Sequence, residues 1–118
     1  MRVLGIGWLG TRTEAFDAMA RFTIDIMGMT PARHTDDQVV FHLPDGDEFQ
    51  IFSATNPGLP YDDQPVAAFL VEDVASARAE MEAKGVAFIG EIEQAGSFAW
   101  TYFRAPDGRV YELTHRVG

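Results

Sequence analysis

Cysteine is missing altogether from the 118 residues, which excludes disulfides, thiolate metal sites and cysteine nucleophiles. Basic residues are scarce: nine Lys and Arg stand against 18 Asp and Glu, for a formal net charge of −9. A chain this acidic offers no electrostatic footprint for nucleic acid or for an anionic membrane surface. No apolar run approaches the roughly 18 residues that a membrane-spanning helix needs. The opening MRVLGIGWLG lacks a small-residue cleavage site and reads as a first strand rather than a signal peptide, so the expected location is the cytoplasm. What is present is 47% hydrophobic and 23% charged residues, the mixture of a folded chain rather than a disordered one. The length suits one ordinary domain, or two very small modules that share a core.

A repeat favours the modules. PDGDEFQIF, beginning at Pro44, returns as PDGRVYELT, beginning at Pro106, an offset of 62 residues. Pro-Asp-Gly is a turn signal with a mechanism, because Pro presets φ and Gly tolerates positive φ. The alternation after it reads as a strand. Upstream, VLGIGWLG runs into TRTEAFDAMARFTIDIMG and PVAAFLVEDV runs into ASARAEMEAKG, in each case a strand entering a helix. In the first helix, Thr11 and Glu14 are spaced as a capping box. Phe16, Met19, Ala20, Thr23 and Met27 form its apolar stripe, and Gly28 stops it. In the second, Asp73 is the expected N-cap, Val74, Ala77 and Met81 the stripe, and Gly85 the stop. Further strands are expected over 32–35, 38–43, 87–93 and 97–104. Between the copies, SATNPGLPYDDQP has the proline content of a linker. The expected fold is α+β: one domain over 1–118, with βαβββ modules at 1–55 and 66–118 and a linker at 56–65.

These residues carry a resemblance. The closing FRAPDGRVYELTHR and the entry FLVEDVASARAEMEAKGV resemble the vicinal oxygen chelate superfamily of glyoxalases, extradiol dioxygenases and bleomycin resistance proteins, from Val3 to Arg116. The resemblance implies curved mixed sheets around a cup-shaped cavity, a small-molecule ligand and a homodimer. It also implies, in metal-dependent members, a divalent ion held by one ligand from the first and the last strand of each module.

Carried over residue by residue, that ligand pattern breaks. Glu112 supplies a carboxylate and Gln50 a neutral amide. Val66 stands where a His is expected, and the first strand, Val3 to Gly10, contains no His, Glu, Asp or Gln. No metal is therefore expected, and Gln50 and Glu112 would be its ligands only if one were present. Zinc, nickel, manganese or iron belongs to the alternative reading, a metal-dependent glyoxalase-like lyase or dioxygenase. The histidines do not complete the set. His115 lies an odd number of residues past Glu112 and faces the other way, and like His34 and His42 it reads as a surface residue rather than a ligand.

Gly5 to Gly10 spells G-x-G-x-x-G, but too few residues precede it for a central parallel strand, and Trp8 would crowd a phosphate. The glycines read instead as room for close strand packing. Strand parity sends Val110, Glu112 and Thr114 to one face and Tyr111 and Leu113 to the helix side. It groups Gln50 with Glu48 and Phe52, and Val66 with Ala68 and Leu70. The expected ligand contacts are Gln50, Glu112, Trp8, Trp100, Tyr102 and Val66, around a mostly apolar and aromatic cavity. Glu112 is the expected catalytic group, a general base for an isomerase- or lyase-like step, unless the protein only sequesters its ligand. The remaining alternative is a structural or interaction module with a filled cavity.

Overall fold

The computed structural model describes residues 1–61 and 64–117, so part of the expected linker at 56–65 falls outside the described residues. In chain order the elements are β1 (Gly5–Thr13), α1 (Phe16–Arg21) running into a π-helical segment (Phe22–Ile26), β2 (Arg33–His34), β3 (Gln38–His42), β4 (Glu48–Ser53), β5 (Val66–Leu70), α2 (Val74–Ala83), β6 (Phe88–Ala95), β7 (Phe98–Arg104) and β8 (Val110–Arg116). This is the α+β class, with βαβββ written twice. The chain divides into two compact units, one of Leu9–Val66 and one of Met1–Trp8 with Ala67–Gly118.

The repeated turn folds alike in both. Gly46 N–H donates to Leu43 O at 2.9 Å and Leu43 N–H to Asp47 O at 2.8 Å, while Gly108 N–H donates to Ala105 O and Ala105 N–H to Arg109 O, each at 2.9 Å. The aspartates cap from inside: Asp45 Oδ1 accepts from Asp47 N–H at 3.0 Å and Asp107 Oδ1 from Arg109 N–H at 2.9 Å. Gly46 and Gly108 take φ of +91° and +83°, the left-handed residue that closes a three-residue hairpin.

In the Leu9–Val66 unit, β2, β3 and β4 pair antiparallel. Val39 meets Ile51 and Phe41 meets Phe49 across the β3–β4 ladder, and these side chains pack on Phe16 and Ala20 of α1. The Phe41 and Phe49 rings stack with centroids 6.0 Å apart.

The expected capping box does not form. β1 continues through Thr13, α1 begins at Phe16 without a side-chain cap, and Thr13 Oγ1 instead accepts from Ala15 N–H at 3.0 Å. Thr11 and Thr13 are β-branched and prolong the strand. The apolar stripe holds at Phe16, Ala20 and Thr23 and fails at Met27, which is 59% exposed. Thr23 causes the slip: its hydroxyl donates to Met19 O at 2.9 Å and Ala20 O at 3.0 Å, and this competes with helix propagation. The next turn closes from Met27 N–H to Phe22 O, one residue wider than an α-turn, which rotates Met27 out of the stripe. Gly28, at φ +70°, ends the helix as expected. The described part of the linker is pinned rather than loose, with Leu59 fully buried and Asn56 Nδ2 donating to Asp37 O at 3.2 Å.

In the other unit β5 runs parallel to β8, and β8, β7 and β6 pair antiparallel. Asp73 caps α2 as expected, accepting from Ser76 N–H at 2.8 Å, and Gly85 leaves it at φ +94°. Val74 and Ala77 of α2 pack on Phe103 and Leu113, with Met81, Phe69 and Tyr111 around them. β6 bulges between Ile89 and Glu93. Arg78 of α2 pins that bulge, donating to Gly90 O and Thr101 Oγ1 at 2.8 Å each and lying over the Phe88 ring.

The opening glycine motif lies within β1, which runs on to Thr13, so no helix starts directly after Gly10. A Cβ on Gly7 would stand 3.1 Å from Leu70 and 3.2 Å from Thr114. A side chain there would press on both neighbours, so glycine suits the close approach of these strands.

Candidate functional site

β8 is mostly buried from Val110 to Thr114, and its alternation decides what faces where. Tyr111 and Leu113 pack toward α2, so Val110, Glu112 and Thr114 occupy the opposite face. Register brings neighbours to each of them. Glu112 sits directly opposite Tyr102 of β7 and beside Ala68 of β5, and Thr114 sits opposite Trp100. In turn Trp100 sits opposite Glu93 of β6. Three of the expected site residues, Trp100, Tyr102 and Glu112, therefore share one face of one unit.

Glu112 is the unusual member. It is 3% exposed, and its Oε2 is buried with no hydrogen-bond partner among the described residues. Desolvation, helped by the nearby charge of Glu93, pushes its pKa up to about 8. At neutral pH it is a carboxylic acid, able to donate a hydrogen bond or a proton; once ionised it can accept one. Thr114 is satisfied separately, its hydroxyl donating to Ala99 O at 2.8 Å.

The other expected residues are placed differently. Trp8 alternates with Gly7, whose open position faces Leu70 and Thr114; its side chain thus leaves β1 on the reverse side from Glu112. Val66 opens β5 and is fully buried. Gln50 belongs to the Leu9–Val66 unit, on the face away from α1, where its Nε2 donates to Gln38 Oε1 at 2.8 Å. In the same ladder Glu48 is held above the usual carboxylate range by burial, an effect that His42, 3.9 Å away, opposes. His42 and His34 are exposed, as expected. His115 is half-buried: its Nδ1 accepts from Val74 N–H at 2.8 Å and caps the start of α2. A His three residues beyond Glu112 points toward the helix layer, where the orphan amides of α2 offer it a partner.

The residue missed in the sequence is Glu93. Its alternation in GEIEQ was legible, but the bulge before it shifts the register, and only the folded ladder sets it opposite Trp100.

A divalent ion needs several oxygen or nitrogen donors with positions left open for substrate. Among the described residues no three His, Asp or Glu side chains cluster so as to hold one. Val66 and the β1 glycines bring no donor, and the Gln50 amide nitrogen is engaged by Gln38. The donor set does not fit such an ion.

Paired βαβββ modules, each ending in the same turn and buried strand, define the fold class. The family follows from it: the model of the Glyoxalase/Bleomycin resistance protein/Dioxygenase superfamily matches residues 5–113, and the chain belongs to that superfamily. No curated protein matches the chain. Among solved structures it is similar to the Mn(II)-bound glyoxalase from Novosphingobium aromaticivorans, at 22% identity and TM-score 0.75 over 99% of this chain and 40% of that one. It is also similar to a variant of Streptomyces coelicolor methylmalonyl-CoA epimerase in complex with 2-nitronate-propionyl-CoA, at 19% identity and TM-score 0.74 over 99% and 100% of the two chains. The methylmalonyl-CoA epimerase from Mycobacterium tuberculosis is 15% identical, with TM-score 0.75 over 98% and 90%. Identities this low show a shared fold and nothing finer.

Proposed function

We propose that the chain is a metal-independent member of this superfamily that binds a small, largely apolar or aromatic molecule against the Glu112 face. It either sequesters that molecule or carries out an acid–base isomerase- or lyase-like step on it. The observation that carries this reading is the unpartnered, buried Oε2 of Glu112 beside Tyr102. Leaving a buried polar atom unpaired costs about 1–3 kcal/mol, and a ligand offering an acceptor or donor there would remove that cost. The epimerases among its fold neighbours are in keeping with the acid–base arm.

The test is to extract whatever co-purifies with the untagged protein, identify it by mass spectrometry and titrate it back while following tryptophan fluorescence. Glu112→Gln keeps shape and removes the acid, so binding or turnover should fall at least tenfold with the fold intact. Unchanged binding in Glu112→Gln would defeat the reading, as would a stoichiometric divalent ion that survives dialysis. A protein that binds nothing returns the structural, filled-cavity alternative.

The same reading includes a homodimer in the cytoplasm. Met1, Val3, Leu4 and Ile6 are 43–55% exposed, an apolar edge that a second copy would cover. Light scattering at micromolar concentration checks it, and a mass near the 13.1 kDa of one chain would count against the dimer. No helix among the described residues is long and apolar enough to cross a membrane.

A further inference from the structure

On the face of β6, β7 and β8 that turns away from α2, carboxylates and aromatic rings alternate. Glu93 stands opposite Trp100 on one rung, and Tyr102 stands opposite Glu112 on another. Exposure falls along this row: Glu93 is open to solvent, Trp100 is partly buried, Tyr102 is 7% exposed and Glu112 is 3% exposed. The row therefore runs from a solvated acid, past two aromatic side chains, to a buried acid whose Oε2 has no partner among the described residues. The guanidinium that shares this face two residues beyond Tyr102, that of Arg104, is engaged by Gly108 O at 2.6 Å. Arg78 is engaged on the α2 side by Gly90 and Thr101.

Two acids close enough for one to perturb the other, with electron-rich rings between them, form a surface whose missing partner is positive charge. A neutral ligand would leave the repulsion in place. An anion would add to it. An ammonium relieves it, gains cation–π attraction from Trp and Tyr, and gives the orphaned carboxylate oxygen a charge-assisted contact.

We propose that the ligand taken at the Glu112 face is an organic cation, an ammonium group carried on an apolar or aromatic body, with Glu93 as the outer and Glu112 as the inner anion. This rests on the reading that the Glu112 face is the ligand site, and it adds the charge class of the ligand. The acidic chain as a whole, at −9, favours the approach of such a molecule and disfavours anions.

The probes are benzyltrimethylammonium, benzyl alcohol and phenylacetate, which share a ring and differ in charge. They are titrated into the full-length protein near pH 8, where Glu112 is half ionised. Calorimetry and tryptophan fluorescence are the readouts. The ammonium should bind at least tenfold tighter than the alcohol, and phenylacetate weakest. Glu93→Gln, a change at an exposed position that leaves the fold alone, should cut ammonium affinity several-fold while leaving the alcohol unchanged. Glu112→Gln should abolish most of the preference for the cation. If the alcohol binds as well as the ammonium, and its binding depends on Glu112, the cation proposal is overturned while the binding site stands. If no probe binds, both fall together. A preference for the ammonium that survives both substitutions places the cation elsewhere and also overturns the proposal.

Discussion

Positions 62 residues apart in the two modules occupy the same rungs of their ladders. Phe41 faces Phe49 as Phe103 faces Tyr111, with centroid separations of 6.0 and 6.2 Å. The helix-facing side is thus the same architecture twice. On the other side the same rungs carry different chemistry. Gln38, Val40, Gln50 and Phe52 in the first module become Trp100, Tyr102, Glu112 and Thr114 in the second. Gln50 has a side-chain partner in Gln38, whereas the Glu112 Oε2 has none. The helix-facing aromatics answer to packing, which both modules need equally. The opposite face is free to diverge, and at these rungs the second module carries a buried acid and two aromatic rings where the first carries amides and one ring.

The sharpest test of scaffold equivalence removes the matched rings. Phe41 and Phe103 are 1% and 7% exposed, and truncation of a buried Phe costs about 3–5 kcal/mol. Phe41→Ala and Phe103→Ala should each lower stability by that amount in chemical denaturation, to within about 1 kcal/mol of each other. A change that is severe in one module and mild in the other would break the comparison on the side where it looks most secure.

The divergent face should show itself through pH. The folded-state pKa of Glu112 is raised to about 8, above its ordinary value of 4.5. Between those values the folded chain keeps a proton that the unfolded chain has lost. The stability associated with neutral Glu112 is fully present below the unfolded pKa and is lost as pH rises through the folded one. With some relaxation around the buried carboxylate, the loss should reach about 2–3 kcal/mol between acid and alkaline pH. Glu112→Gln should flatten that slope and leave the variant more stable than the parent at alkaline pH. Glu48→Gln in the first module removes a partly solvated carboxyl whose raised pKa is opposed by His42, and should flatten the profile much less. Urea melts across the pH range decide it; equal flattening by both variants would mean that the modules do not differ electrostatically.

Much of this was legible because local chemistry and tertiary packing agree. The Pro-Asp-Gly turns, the Asp73 cap and the inward parity of Tyr111 and Leu113 follow from short-range rules, and the fold leaves them untouched. The misreadings arise where two local options compete. Thr11 and Thr13 serve a strand as readily as a capping box, and the strand prevails. Thr23 looks apolar in a stripe, yet its hydroxyl returns to the backbone and widens the helix. Spacing gave the facing of His115 but not its partner, and it did not place Glu93, since each owes its role to an element distant in the chain. For His115 that element is the start of α2, and for Glu93 it is the rung beyond a bulge. Parity placed Glu112 on the face away from α2, as the ladder has it, but the facing of Trp8 depended on how closely β1 approaches Leu70 and Thr114.

The smallest expected effect concerns the turn that betrayed the repeat. Gly46 and Gly108 hold φ of +91° and +83°, a region where a Cβ meets the neighbouring carbonyl and costs about 1–2 kcal/mol. Around Gly108 an added Cβ would meet nothing within 4 Å, so Gly108→Ala isolates the backbone cost from any clash. Gly108→Asn should recover part of it, because asparagine tolerates the left-handed region better than alanine does. The equivalent changes at Gly46 should follow the same order and nearly the same size if the two turns are energetic as well as geometric copies. Thermal melts of the four variants suffice for the comparison. A Gly46→Ala protein as stable as its parent would show that the first module relaxes its turn where the second cannot, and the equivalence of the two hairpins would then stop at their hydrogen bonds.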